Sequence, residues 1–230
     1  MSNGAPVHLR PTAPVADRVL LPGDPGRALA LAQSLLVEPR MFNHHRGLWG
    51  YTGAAPDGEP LTIQATGMGG PSAAIVLTEL IALGVRRAVR VGTCGALAAG
   101  LGLGELLVAR ESFSADGTSR ALGAGERVAA DPRLTEALVR HAPDAHVGAV
   151  VSVDLFYEDG PAGAGRDALA VEMEAAALFA VGASAGVAVG CVLAISDTFD
   201  AAGARRRIDD DALLAAAELM GTAAIAALAD

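Results

Sequence analysis

The residues best suited to chemistry form one short run, Arg90-Val91-Gly92-Thr93-Cys94-Gly95. An arginine lies inside an apolar stretch that predicts a strand, and the stretch ends in a turn that carries a hydroxyl and two glycines. In α/β proteins, ligands bind at the carboxyl ends of strands. A guanidinium beside a hydroxyl and glycine N–H groups is suited to binding an oxyanion. An arginine in a surface ion pair at a strand edge fits the same segment, which therefore leaves both interpretations open.

Two other glycine-containing turns, Gly23-Asp24-Pro25-Gly26-Arg27 and Gly67-Met68-Gly69-Gly70, also follow predicted strands. Each can bring backbone N–H groups close to a ligand, although such turns are often plain connections. Arg27 in the first turn, Arg90, and Arg46 in His44-His45-Arg46-Gly47 favour a shared anion site. Neither turn matches the Gly-x-Gly-x-x-Gly pattern of a dinucleotide site.

Two acidic segments add candidate catalytic or binding groups. Val171-Glu172-Met173-Glu174 places two acids at the start of a predicted helix. There they either favour the helix dipole or accept hydrogen bonds from sugar hydroxyls, with Met173 packing on the sugar. Ser196-Asp197-Thr198 follows an apolar strand, where an active-site acid would lie, although a turn or a helix cap fits as well. The sequence shows no metal-type cluster of cysteine and histidine and no Asp-rich loop, so we expect no metal site.

The elements that must position these residues alternate between strand and helix. Strands are predicted at Val19–Leu21, Trp49–Gly53, Leu61–Thr66, around Arg90, Leu106–Ala109, Val147–Val153 and Ala188–Ile195. Helices are predicted at Ala28–Leu36, Ala73–Leu83, Leu134–His141, Glu172–Ala185 and Asp210–Ala229. A polar connector is expected from Asp116 to Asp131. This alternation predicts a layered α/β fold with a parallel or mixed sheet, in one domain over residues 1–230.

The composition restricts the class of protein. The net charge of −9 argues against a nucleic-acid or acidic-membrane partner. We expect a cytoplasmic protein, because the chain begins without the apolar run of a signal peptide and lacks a long uninterrupted apolar stretch. Cys94 and Cys191 are expected to be buried thiols. All basic residues are arginines, which excludes catalysis by a Schiff-base lysine or a Ser-Lys pair.

Seven segments occur in an order that is typical of one family. They are Pro22–Arg27, His45–Gly47, Gly67–Ser72, Arg90–Ala96, Ser152–Tyr157, Val171–Ala176 and Ser196-Asp197. Together they resemble the nucleoside phosphorylase family that contains bacterial hexameric purine nucleoside phosphorylase and uridine phosphorylase. The resemblance runs from His8 to the closing helix. It implies a single-domain three-layer α/β/α fold around a central mixed sheet.

The resemblance also implies a role for each motif residue. The implied phosphate ligands are Gly23, Arg27, Arg90 and Thr93, with Arg46 reaching in from a neighbouring subunit. The implied ribose ligands are Met173 and Glu174, with Glu172 nearby and the neighbour's His8 at the 5′-hydroxyl. The implied base site is formed by Phe156, Cys94, Gly95, Ser196 and Asp197. Asp197 would face the purine N7 and donate a proton to it. An arginine of the Arg205-Arg206-Arg207 run would assist this transfer, and of the three we choose Arg205. Family members are typically hexamers, arranged as trimers of dimers, and phosphate is a co-substrate without any cofactor.

Asp197 favours a purine substrate. Uridine phosphorylases resemble this chain but carry Asn-Arg at the Ser196-Asp197-Thr198 position, and they read uracil with a Gln-x-Arg pair. The corresponding stretch here, Glu158–Ala170, contains no glutamine and is shorter than usual. Thr93 replaces the serine usual in the purine branch. Adenosine, inosine and guanosine all fit, as ribosides or deoxyribosides. The alternatives are a uridine phosphorylase, a hydrolytic nucleosidase and a non-catalytic nucleoside-binding protein, but the chain retains Asp197 and all three candidate phosphate arginines.

Overall fold

The computed structural model describes residues 6–157, 167–199 and 204–230. The strands are β1 (Arg18–Leu21), β2 (Val37–Asn43), β3 (Gly50–Ala54), β4 (Pro60–Gln64), β5 (Arg87–Ala96), β6 (Leu106–Ser114), β7 (Arg127–Ala129), β8 (His146–Ser152), β9 (Ala170–Glu172), β10 (Ala188–Phe199) and β11 (Arg205–Arg207). The helices are α1 (Pro25–Leu35), α2 (Gly70–Ala82), α3 (Gly117–Ala121), α4 (Pro132–His141), α5 (Ala175–Ala185) and α6 (Asp210–Ala229). A 3₁₀ turn covers His45–Gly47.

The strands form one mixed sheet in which four neighbours run parallel. β1 lies between β4 and β5, and β5 lies between β1 and β10. The carboxyl ends of these four strands therefore meet at one edge, which is where the glycine turns, the Arg90 segment and Asp197 lie. The far end of β5 pairs with β9, and β9, β8, β6 and β10 then lead back to β5. This closed circuit of strands brings Asp197 opposite Gly95.

Helices cover both faces of the sheet, which confirms the predicted three-layer α/β/α arrangement. On one face, α2 and α5 contribute Leu80 and Phe179 to a buried cluster. On the other face, α1, α4 and α6 contribute Leu31, Leu138 and Met220 to a second cluster. By length and composition alone, α6 could cross a membrane. Half of that apolar segment is buried inside the protein, where α6 packs on α1 and α4, as the core helix of a layered domain does.

Local chemistry accounts for the helix boundaries. Asp24, Asp131 and Asp209 cap α1, α4 and α6 by accepting a hydrogen bond from a backbone N–H of the first turn. Proline at the start of α1 and α4 cannot donate a backbone hydrogen bond and suits this position. Gly186 ends α5 in the left-handed conformation.

The structure corrects two predictions about the elements and adds two strands. The predicted polar connector from Asp116 to Asp131 contains α3 and β7, because Asp116 caps α3 and β7 pairs with β6. The predicted helix Glu172–Ala185 starts only at Ala175, because Glu172 ends β9, which pairs with β5 and β8. Strands β2 and β11 were not predicted. Both consist mostly of exposed residues and so lack an apolar pattern, although each pairs antiparallel with a strand next to it in the sequence, β3 and β10.

A buried arginine ties β1 to the β3–β4 hairpin. The Arg18 guanidinium donates two hydrogen bonds of 2.6 Å to the Asp57 carboxylate, and it also reaches the carbonyls of Pro60 and Glu59. Arg18 is only 3% exposed, so this bidentate pair is the main compensation for burying its charge. The side-chain hydrogen bond from Arg18 lowers the pKa of Asp57 from 3.8 to about 2.

Asp57→Asn is therefore expected to destabilise the fold in a pH-dependent way. Because the pKa of Asp57 in the folded protein lies below its ordinary value, the ionised carboxylate contributes stability above pH 3.8, and this contribution is lost as the pH falls towards about 2. We expect a loss of about 1–2 kcal/mol in the free energy of unfolding at pH 7. In urea unfolding, the gap between wild type and variant should narrow below pH 4. Asp144→Asn, on an exposed loop, is the control, and a gap that stays constant down to pH 3 would contradict the assignment.

Candidate active site

The two glycine turns that follow β1 and β4 are held together by backbone hydrogen bonds. Thr66 N donates to Pro22 O at 2.9 Å, and Gly67 N donates to Gly23 O at 3.0 Å. A side chain at Gly23 would bring its Cβ to 3.3 Å from Gly67 O, so the glycine permits the close approach. The second turn also reaches Glu174, because Gly69 N donates to Glu174 Oε1 at 2.6 Å. Both predicted turns thus lie at one place beside the acidic segment.

Arg90 lies in β5, between these turns and the acidic segment, and is only 3% exposed. Its guanidinium folds over Gly92 on the same strand. A Cβ at Gly92 would lie 2.7 Å from Arg90 Cζ and 2.8 Å from Nη2, so no larger residue fits while Arg90 keeps this position. The glycine of the predicted oxyanion turn therefore has a second role, which is to leave room for the arginine.

Two carboxylates hold the Arg90 guanidinium. Nε lies 3.0 Å from Glu172 Oε2, and Nη2 lies 2.5 Å from Glu174 Oε2. Burial by itself would lower the pKa of Arg90, but the carboxylates of Glu174 and Glu172 outweigh it and raise that pKa above its ordinary value. Nη1 has no hydrogen-bond partner among the described residues, and the contact of Nε with Glu172 is an ion pair without hydrogen-bond geometry. The surface ion pair considered from sequence is therefore replaced by a buried charge whose Nε and Nη1 donors make no hydrogen bond within the described residues.

Glu172 holds the centre of a buried network. Its Oε1 accepts hydrogen bonds from Ser152 Oγ and Ala175 N, and its Oε2 accepts from Glu174 N and Ala175 N. Ser152 Oγ in turn accepts from Ala176 N and lies 2.9 Å from Ser112 Oγ. Burial raises the pKa of Glu172, and the Arg90 charge opposes that rise. In this structure Glu172 anchors Arg90 and the first turn of α5, while its implied place near the ribose stays a prediction.

Arg27 stands at the start of α1 with a half-buried side chain that forms no ion pair within the part of the chain that the structure describes. Burial lowers its pKa, the Asp24 carboxylate opposes this, and the positive charge of Arg90 lowers it further. The positive charges of Arg27 and Arg90 therefore repel each other, and an anion bound between them would relieve this repulsion. Thr93, three residues beyond Arg90 on β5, is half-buried.

The second group of predicted site residues meets at the end of β10. Asp197 is 5% exposed, and its carboxylate accepts from Arg205 Nε at 2.7 Å and from Ser196 Oγ at 2.7 Å. Asp197 pairs with Gly95 at a β-bulge that follows Ile195. The Arg205 guanidinium also lies over the Phe156 ring, 4.4 Å from its centre. Of the three candidate arginines, Arg205 is thus the one whose side chain contacts Asp197.

Cys94 and Met173 both pack against apolar clusters of the core. The Cys94 thiol is buried, and its Sγ lies 3.7 Å from Ala194 O. Burial raises the pKa of this thiol, so it is unreactive. Met173 is half-buried against the apolar cluster around Phe113 and Val151.

His8 and Arg46 are not brought to the site of their own chain. His8 Nδ1 lies 2.7 Å from Glu79 Oε1 on α2, and the backbone N–H groups of Val7, His8 and Leu9 donate to the same carboxylate. Arg46 is exposed, and its backbone adopts the left-handed region with φ 59°. Their implied roles in a neighbouring subunit stay predictions.

Sequence reasoning missed Ser112 and Ser152, which are fully buried and support Glu172. Two small polar residues inside strands of apolar pattern were the available signal. Of the stretch Glu158–Ala170, residues 158–166 lie outside the described residues. Within residues 6–157, 167–199 and 204–230, no group of three or more His, Cys, Asp or Glu side chains is placed to hold a metal ion.

Comparison with known proteins agrees with this geometry. A family model described as the phosphorylase superfamily matches residues 17–229. The DeoD-type purine nucleoside phosphorylase of Oceanobacillus iheyensis is 36% identical over 197 residues, which cover 80% of this chain and 83% of the relative. The enzymes of the same name from Clostridium beijerinckii and Geobacillus kaustophilus are 37% and 38% identical, over 84% and 81% of this chain and 86% and 83% of the relatives. The fold, the co-linear motifs and these matches together place the chain in the phosphorylase superfamily.

Proposed function

We propose that this protein is a purine nucleoside phosphorylase. It would reversibly convert a purine ribonucleoside or deoxyribonucleoside and phosphate to the free base and the pentose 1-phosphate. The observation that carries this proposal is the placement of two charged centres on one strand pair. Arg90 on β5 offers a buried cation with a free donor, and Asp197 on β10, held by Arg205, lies opposite Gly95 farther along β5. The names of the relatives in the superfamily support the purine assignment.

The proposed chemistry uses the two centres on opposite sides of the sugar. Cleavage of the C1′–N9 bond leaves positive charge on the sugar and sends the bonding electron pair to the purine. Phosphate held at Arg90 and Arg27 stabilises the cationic sugar, and one of its oxygens forms the new bond to C1′. Asp197 in its protonated form donates its proton to N7, which neutralises the departing base, and the carboxylate that remains pairs with Arg205. No cofactor takes part in this scheme, and phosphate is the co-substrate.

We also propose that the site is completed by a second copy of the chain in a cytoplasmic homohexamer. Arg46 projects into solvent from a strained left-handed backbone, a conformation that persists where function requires it. The N-terminal arm around His8 docks on α2 through Glu79. It also contacts the turn that carries Arg46, because His45 Nδ1 lies 3.0 Å from His8 O. Apolar side chains are exposed on this arm, after this turn and on α2 (Val7, Trp49 and Ile75), and Met68 is exposed on the glycine turn that precedes α2. Exposed apolar side chains of this kind mark a protein–protein contact surface, and a second copy of the chain would cover it.

The first test is turnover with and without phosphate. Purified protein should release base from adenosine, inosine or guanosine, and form pentose 1-phosphate, only when phosphate is present. Uridine should be a poor substrate, because the base site holds Asp197. Equal base release in phosphate-free buffer would identify a hydrolase, preferential use of uridine would identify a uridine phosphorylase, and binding without turnover would identify a nucleoside-binding protein.

Asp197→Asn should reduce kcat/KM for the nucleoside by about 10²–10⁴-fold, because the amide does not deliver a proton to N7 in the same way. The KM for phosphate should stay close to the wild-type value, because Asp197 lies away from Arg90. Asp144→Asn removes the same charge from an exposed loop and is the matched control. Loss of less than about tenfold would contradict the assigned role.

Mixed oligomers can test whether Arg46 acts in a neighbouring subunit. Arg46→Ala alone should raise the KM for phosphate by about tenfold or more, through loss of a charged hydrogen bond. Arg46→Ala and Asp197→Asn chains, co-expressed with different tags, should regain turnover at low phosphate, because about a quarter of the sites then combine an intact Asp197 with a neighbour's intact Arg46. Mixed oligomers no more active than the two separate variants would show that Arg46 does not act across subunits.

A further inference from the structure

The Glu174 carboxylate uses both of its oxygens within the site. Oε2 lies 2.5 Å from Arg90 Nη2, and Oε1 accepts from Gly69 N at 2.6 Å. The residue is only 6% exposed, so water competes little for either oxygen. Gly69 is the N-cap of α2, a helix of 13 residues, whose N-terminus favours a negative group. Glu174 therefore sits where a guanidinium and a helix N-terminus converge.

These two contacts are of the kind that a phosphate would use. Phosphate oxygens pair with guanidinium groups and with N–H groups at helix N-termini. In the ligand-free protein, however, Arg90 faces two carboxylates, Glu172 and Glu174, so this trio carries a net negative charge. A dianion entering next to it is repelled by Glu174, and the Arg90 donors that make no hydrogen bond among the described residues, Nε and Nη1, are both buried.

The two carboxylates differ in how firmly they are held. Glu172 accepts four hydrogen bonds from Ser152 Oγ and from backbone N–H groups around the start of α5, which fix both of its oxygens. Glu174 has one backbone donor, Gly69 N, besides Arg90. Of the pair, Glu174 is thus the one that can turn away from Arg90. A ribose placed beside it would offer hydroxyl donors to the same two oxygens.

We propose that Glu174 acts as an internal anion on Arg90 in the ligand-free protein, and that nucleoside binding draws its carboxylate to the sugar hydroxyls and opens Arg90 to phosphate. This inference rests on the proposed function. It makes the bindings of nucleoside and phosphate cooperative, because each ligand favours the arrangement that the other needs. The same side chain is thereby a ribose ligand and the residue that controls access of the anion.

The test is Glu174→Gln, with inorganic phosphate titrated calorimetrically in the absence of nucleoside. A glutamine carries one acceptor oxygen in place of the two that now contact Arg90 and Gly69, and it carries no charge, so Arg90 becomes available. We expect phosphate to bind about tenfold more tightly than to wild type, while the KM for nucleoside rises. Glu218→Gln makes the same change in net charge on the exposed side of α6 and should leave phosphate binding unchanged. Unchanged or weaker phosphate binding by a folded Glu174→Gln protein would overturn the inference.

A measurement on the wild type covers the case in which the variant does not fold. A purine C-nucleoside, whose base and sugar are joined by an unreactive carbon–carbon bond, should tighten phosphate binding by about tenfold. The corresponding 2′,3′-dideoxy compound should do so much less, because it lacks the hydroxyls that compete for Glu174. Equal phosphate affinity with and without the C-nucleoside would overturn the inference. If turnover depends on phosphate but neither effect is seen, only the role of Glu174 fails; if turnover needs no phosphate, the proposed function itself fails.

Discussion

The structure depends on the burial of one guanidinium between two carboxylates. Removing Arg90 from water carries a large desolvation cost, which the nearby carboxylates of Glu172 and Glu174 offset. Several parts of the chain serve this requirement. Gly92 leaves space for the guanidinium, β9 brings Glu172 beside β5, and the buried hydroxyls of Ser152 and Ser112 hold Glu172 in place.

The same constraint explains why both halves of the site share strand β5. Parallel pairing with β1 brings the first glycine turn and Arg27 next to Arg90, and parallel pairing with β10 brings Asp197 opposite Gly95. The proposed chemistry develops opposite charges on the sugar and on the base. It therefore requires a centre for the anion and a centre for the proton at a fixed separation, and a single continuous strand provides such a separation with little freedom to change.

The charges of the site also indicate that, without a ligand, some of its arginines have no anionic partner. Arg27 has no ion pair among the described residues, Arg90 Nε and Nη1 make no hydrogen bond there, and Arg46 is exposed. Guanidinium groups without an ion pair, such as that of Arg27, are stabilised by an anion, whereas the carboxylates of Glu172 and Glu174 already compensate Arg90. In the proposed phosphate site, Arg90 would therefore be shared between the protein's own carboxylates and the ligand.

The sequence by itself determined the local features. The apolar and polar pattern located α6 at Asp210–Ala229 and the β3–β4 hairpin within a residue or two, and the glycine turns, Arg90 and Asp197 were identified as site candidates from their residue types alone. Only the tertiary structure decided which candidates meet: β9 pairs with β5 and brings Glu172 to Arg90, and Asp197 lies opposite Gly95. It also decided the support of Glu172 by Ser152, the contact of Arg205 with Asp197, and strands β2 and β11, whose mostly exposed residues show no apolar pattern. The physical reason is the distance along the chain over which each kind of interaction acts. Caps, turns and periodicity act over a few residues, whereas strand pairing and the compensation of a buried charge join residues that lie up to a hundred positions apart in the chain.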